Sequence, residues 1–213
     1  MPTSDRRGAW FTLACVLLLG LFLLRNGSAG SADSTDGPPR PAPALAARHA
    51  TTAPQPPAPA PLPPSSPRRI TIPSLTVDAP LTEVGLDTDG WIQAPPLTRG
   101  NLAGWYRGGV TPGERGTSVI VGHVDNTAGP AVFYGLGAVK RGSRIEIPRA
   151  DGRTAVFTVY GVELFAKRDF PARRVYADGP VPELRVITCG GGYTKKTGYD
   201  GNVVTFARLT GER

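Results

Sequence analysis

An all-β fold is predicted for most of this chain, on three observations. Short β-branched runs recur from residue 70 to the C-terminus, and Gly, Pro and Asp break them at close intervals. Only one short stretch is a plausible helix. A β-rich domain of this kind is a sandwich or a barrel, and periodicity alone does not choose between them.

The elements follow in order. "RITIPSL" alternates, "TVDAPLTEVG" continues, and "LDTDGWIQAP" reads as a turn leading into a strand. "GTSVIVGHVD" is a strand that ends in a loop. "SRIEIPRADGRTAVFTVYGVEL" is a hairpin with Asp151-Gly152 at its tip, since Asp-Gly is the strongest short-range hairpin signal. "ELRVITCGG" and "GNVVTFARLT" complete at least seven strand candidates. The short helix is expected around Val132–Leu136, in "GPAVFYGLGAVKRGS".

Residues 70–213 are enough for one hydrophobic core. The residues before them are of two other kinds. Residues 1–25 place Arg6-Arg7 before an uncharged run, Gly8 to Leu24, which Arg25 ends. That run fits an uncleaved signal-anchor, the favoured reading, and also a cleaved signal peptide, for which "NGSAGSADS" offers small residues. Both export the rest of the chain, so the expected location is a cell membrane, single-pass, with the folded domain extracytoplasmic. Residues 26–69 hold 12 of the 23 prolines and read as a Pro/Ala-rich extended linker, because proline removes donors and fixes φ.

Composition excludes one class. The net charge is +7, but residues 70–213 carry 17 Lys+Arg against 14 Asp+Glu, so much of the excess lies before the domain. No basic stripe interleaves with aromatics, so nucleic acid is not an expected partner.

Two cysteines and two histidines then narrow the chemistry. Cys15 lies inside the apolar N-terminal run and His49 inside the linker, which leaves Cys189 and His123 for the domain. One Cys and one His fall short of a structural zinc set, and a disulfide within the domain is excluded by count. No metal or other cofactor is expected. Each residue follows a β-branched run, "SVIVGH" and "RVITC", at the mouth of a loop. A strand end holds a side chain while leaving it open to substrate, which suits a thiol nucleophile and its proton partner. The glycines after Cys189 leave room for a substrate backbone. The bland alternative is a packed structural cysteine with an unrelated loop histidine.

"GHVDN" and "PELRVITCGGGY…GNVVTFA", with "IPSLTVDAPLTEVGLDTDGWIQAP" and "AGWYRGGVTPGERGTSVIVGHVD" upstream, resemble the sortases, most closely the actinobacterial class F group. The resemblance covers nearly all of residues 70–213. It implies a closed β-barrel of about eight strands with one or two short helices. It also implies a cysteine transpeptidase that cleaves an LPXTG-like signal between Thr and Gly. By position, Cys189 is the thioester-forming nucleophile and His123 the proton donor and acceptor. The implied partners are exported proteins bearing a C-terminal sorting signal, a cell-wall precursor amine, and the membrane through the N-terminal segment.

One position departs from the pattern. Where the family places an arginine on the final strand, this chain has Asn202, and Arg208 is six residues further on, about 20 Å along a strand. Lys195, Lys196, Arg107 or Asn202 itself are the candidates for that role. A catalytically inactive sortase-like binding or assembly domain is the alternative function. Papain-like hydrolases and L,D-transpeptidases fit less well, because His123 precedes Cys189 by 66 residues and no histidine follows it.

Overall fold

The computed structural model describes residues 37–42 and 59–213. Strand β1 (Arg69–Ile72) turns through a 3-10 segment, Pro73–Leu75, into its antiparallel partner β2 (Val77–Val84). After a long loop, β3 (Ala103–Tyr106) pairs parallel with β2 and antiparallel with β4 (Gly116–Val121). Two short strands, β5 (Asp125–Asn126) and β6 (Gly129–Pro130), pair only with each other. Then come β7 (Arg144–Pro148), β8 (Thr154–Ala166), the five-residue helix α1 (Ala172–Tyr176), β9 (Pro182–Thr194) and β10 (Gly198–Glu212).

The order β1-β2-β3-β4-β9-β10-β8-β7 closes on itself through Thr71 of β1 opposite Glu146 of β7. The fold is therefore the closed eight-stranded barrel, and closure leaves no open sheet edge. The predicted hairpin tip is present: Gly152 has φ +83°, and Arg149 N–H donates to the Arg153 carbonyl at 2.9 Å. The expected helix at Val132–Leu136 is displaced. Turns occupy that stretch and lead to a 3-10 segment at Leu136–Ala138, while the α-helix forms at Ala172–Tyr176 instead.

Alternation explains the two apolar clusters. Along β9, Leu184 and Val186 join the barrel core with Ile70, Ile72, Ile120, Phe157 and Leu209. Ile187 joins a second cluster with Val119, Val121, Val204 and Phe206, around buried Val175 of α1. Strand β4 is buried at every residue because both of its faces are covered. Arg185 fastens α1 to β9: it donates to the Val175 carbonyl at 3.1 Å and its guanidinium lies 4.7 Å from the Phe206 ring centroid.

The last residues of the proline-rich stretch pack against the barrel. Leu62 is buried in the core cluster, and its N–H donates to the Gly113 carbonyl at 2.8 Å. Arg149, 2% exposed, donates to the carbonyls of Pro112 and Pro63, each at 2.5 Å, and to Asp151 at 2.8 Å. One buried guanidinium thus ties three backbone segments together.

The expected single-pass membrane location is corrected. A span needs about 20 apolar residues, whereas the helical segments described are three to five residues long and none is long and apolar enough to cross a membrane. Residues 1–25, on which that location and the membrane partner rested, lie outside the described residues.

Candidate active site

The parallel pairing of β4 and β9 builds the site. Their last registered pair is Val121 opposite Ile187. Two residues further along each chain come His123 and Cys189, so residues separated by 66 positions in sequence emerge side by side. Two hydrogen bonds hold this arrangement: Gly122 N–H donates to the Ile187 carbonyl at 3.1 Å, and the Thr188 hydroxyl donates to the Gly122 carbonyl at 2.9 Å. Gly122 has no substitute here, because a Cβ would stand 2.6 Å from the Phe133 ring.

The imidazole of His123 is held by a backbone carbonyl of the loop after β2. Its Nε2 lies 2.7 Å from the Pro95 carbonyl oxygen, which can only accept, so Nε2 carries the hydrogen. In the neutral ring, Nδ1 is then the acceptor. Cys189 is a free, half-buried thiol. It is not at a strand end, as expected, but within β9, because pairing with β10 carries the strand through the glycines to Thr194. Cross-strand hydrogen bonds override the weak strand preference of glycine there. Gly191 has φ +90°, beside a register shift between Tyr199 and Gly201.

Asn202 stands directly opposite Cys189 across the β9–β10 ladder. His123, Cys189 and Asn202 all line one cavity of about 460 Å³. The other candidates lie elsewhere. Arg208 is held by Glu183 at 3.3 Å and lies over the Tyr160 ring, while Lys195, Lys196 and Arg107 do not line the cavity. Lys167 is the one cation among its lining residues. It begins the 3-10 segment Lys167–Asp169 that leads to α1. Sequence reasoning missed Lys167, Trp91 and Tyr176, which also line the cavity. The only hint was a lone tryptophan after the Asp-Gly turn at 89–90.

The His123 loop is latched to the β9–β10 hairpin as well. The Tyr199 hydroxyl donates to the Asp125 carboxylate at 2.5 Å, and the Tyr199 and Tyr193 rings lie 5.0 Å apart. Desolvation, then the hydrogen bond to Asp125, raises the Tyr199 phenol above its ordinary value. Among the described residues, no group of three His, Cys, Asp or Glu side chains is placed to hold a metal ion.

The closed eight-stranded barrel has counterparts in known proteins. A sortase domain model matches residues 70–210. The chain belongs to the sortase family. Solved structures similar to this sortase include sortase A from Corynebacterium diphtheriae, as a lid mutant. That match has 21% identity and TM-score 0.53 and covers 70% of this chain and 73% of that one. Sortase A from Listeria monocytogenes matches with 19% identity and TM-score 0.52, over 70% and 90% of the two chains. The SrtA sortase from Actinomyces oris has 21% identity and TM-score 0.52, over 74% and 87%. At these identities the structural likeness speaks to the fold. No curated protein matches the sequence. Sortases are cysteine transpeptidases, and a sortase-type transpeptidase is what family and fold support for this chain.

Proposed function

We propose that this sortase, of class F type by the motifs quoted above, cleaves an LPXTG-like sorting signal between Thr and Gly and passes the acyl group to an amine. The reading rests on one observation: Cys189, within β9, and His123, two residues past the end of β4, line the same cavity. Cys189 Sγ attacks the threonine carbonyl carbon as the thiol proton passes to His123. The C–N bond breaks, His123 returns that proton to the departing glycine amine, and a thioester remains. An acceptor amine, such as that of a cell-wall precursor, then attacks the thioester. Its proton passes through His123 to the leaving sulfur, so atoms and charge balance.

Negative charge develops on the carbonyl oxygen in both steps. The Asn202 amide, opposite Cys189, supplies a hydrogen-bond donor, and Lys167 supplies positive charge in the same cavity. Together they take the part that an arginine plays elsewhere in the family.

Mass spectrometry of the full chain with an LPXTG-type peptide and an amine acceptor tests the reading, with Cys189→Ala as control. A peptide adduct on Cys189, or a transpeptidated product absent from the control, is expected. A second reading, an inactive binding barrel, draws on the asparagine at the arginine position. It predicts no adduct and no alkylation of Cys189 before unfolding.

A further inference from the structure

A second cavity, of about 580 Å³, adjoins the catalytic one and shares Trp91, Ile92 and Tyr176 with it. Its volume is within the range of ligand sites, roughly 300–1,000 Å³. The shared residues set the two cavities next to each other, and the charge reverses from one to the other. The catalytic end has Lys167 and no carboxylate, whereas the second cavity has Glu114 and Asp178 and no Lys or Arg. Among the described residues neither carboxylate is in an ion pair. Glu114 Oε2 accepts from Thr111, at 2.5 Å from its N–H and 2.6 Å from its hydroxyl, and Asp178 Oδ1 accepts from Thr117 N–H at 2.9 Å. Among the described residues, the second oxygen of each has no hydrogen-bond partner. Tyr106 and Tyr176 add aromatic faces beside them.

Position along β4 says which part of a peptide reaches this cavity. The catalytic cavity is lined by Val121 and Gly122, the second by Thr117 and Val119. From His123 back to Val119 and Thr117 is four to six residues, about 13–20 Å at ~3.3 Å each. An extended acyl chain leaving the scissile carbonyl covers that distance in as many residues, so the four of an LPXT-like motif fill the catalytic end. The acyl half must stay seated while the thioester waits for its amine, which favours its running along the two cavities beside β4. The next one or two residues lie between Glu114, Asp178 and the aromatic rings.

We infer that this cavity is an upstream subsite that selects a lysine or arginine side chain just N-terminal to the sorting motif. The inference rests on the proposed transpeptidase reading. A cation there meets two carboxylates and the faces of aromatic rings, the surroundings that favour a long basic side chain.

The test compares LPXTG-type peptides identical except for Lys, Ala or Glu in the two positions before the motif, using the full chain. The expected kcat/KM preference for Lys over Glu is about five- to tenfold at low salt, carried in KM and reduced at high salt. Glu114→Gln and Asp178→Asn keep an acceptor oxygen toward Thr111 and Thr117 while removing the charge. The double variant should bring the Lys-to-Glu ratio close to one. Thioester formation with equal rates for all three peptides overturns the subsite and leaves the transpeptidase reading standing. If no peptide acylates Cys189, that reading fails, and calorimetric binding to the Cys189→Ala chain decides the subsite. Tighter binding of the Lys peptide than of the Glu peptide then upholds it, and equal or absent binding overturns it.

Discussion

The Thr188 hydroxyl donates at 2.9 Å to the carbonyl of Gly122, so the residue before Cys189 grips the residue before His123. Thr188 is 4% exposed and its partner lies in the same cavity wall, so the bond is sheltered from water. Thr188→Val keeps the shape and leaves a buried carbonyl with one partner fewer. A stability loss of about 1–3 kcal/mol follows. Turnover should fall further than stability explains, because His123 loses its register with the thiol. Peptide assays below the melting transition, paired with thermal melts, check this; unchanged kcat would show that the bond serves stability alone.

His123 and Cys189 should fail differently. Cys189→Ala should abolish acylation, since no other described thiol exists. His123→Ala should lower turnover roughly 10²- to 10⁴-fold, the range of a lost general acid-base. Single-turnover thioester formation separates the two. A His123→Ala protein that acylates at the normal rate would remove the imidazole from the first step.

Asn202 and Lys167 are the residues proposed to stabilise the oxyanion. Asn202→Ala should lower kcat on the order of 10²-fold, as loss of a preorganised donor does elsewhere. Lys167→Met should reduce it less, because an exposed ammonium is screened by solvent. Unchanged turnover in Asn202→Ala would take that side chain out of the chemistry. The double variant shows whether the two act on the same charge.

Alkaline stability should report the tyrosines. Burial raises the phenols of Tyr160, Tyr176 and Tyr199, and the hydrogen bond to Asp125 adds to the effect at Tyr199. The unfolded chain releases these protons near pH 10, whereas the folded protein keeps them to higher pH. Above about pH 10 the folded state binds more protons, so stability is complete below that pH and is lost as pH rises through the folded values. Melting temperatures measured from pH 8.5 to 11.5 should fall at the alkaline end, and less steeply for Tyr199→Phe. A Tyr199→Phe curve parallel to the parent would show that this phenol does not contribute.

Arg149→Ala should be among the most destabilising surface-to-core changes outside the site. It strips donors from the Pro63 and Pro112 carbonyls and leaves the space of a guanidinium that is fully buried. A loss of about 2–4 kcal/mol is expected, read as a fall in urea midpoint with the slope unchanged. Arg149→Lys should recover little, because one ammonium cannot reach three segments in a fixed fork.

Much of this was written in the chain itself. Strand positions followed from β-branched alternation, and the hairpin tip from Asp151-Gly152. The candidate pair Cys189 and His123 followed from elimination, because the domain contains no second residue of either kind. Asn202 was singled out by the resemblance, as the position where the family has an arginine, and the β9–β10 register places it opposite Cys189. Local pattern determined the strands and the hairpin tip, and scarcity the Cys/His candidates, because alternation and composition are properties of the sequence alone.

Other features depended on contacts between distant segments. Closure into a barrel rather than a sandwich was decided by the pairing of Thr71 with Glu146. The glycine tract became strand because β10 lies beside it, and α1 formed where Arg185 and a second apolar cluster received it. Lys167 from a 3-10 turn, Trp91 from a loop and Tyr176 from α1 meet at the cleft, and no local pattern relates them. The sequence by itself determined which residues could react; tertiary packing decided which charges surround them, since a loop's position is set by what it packs against.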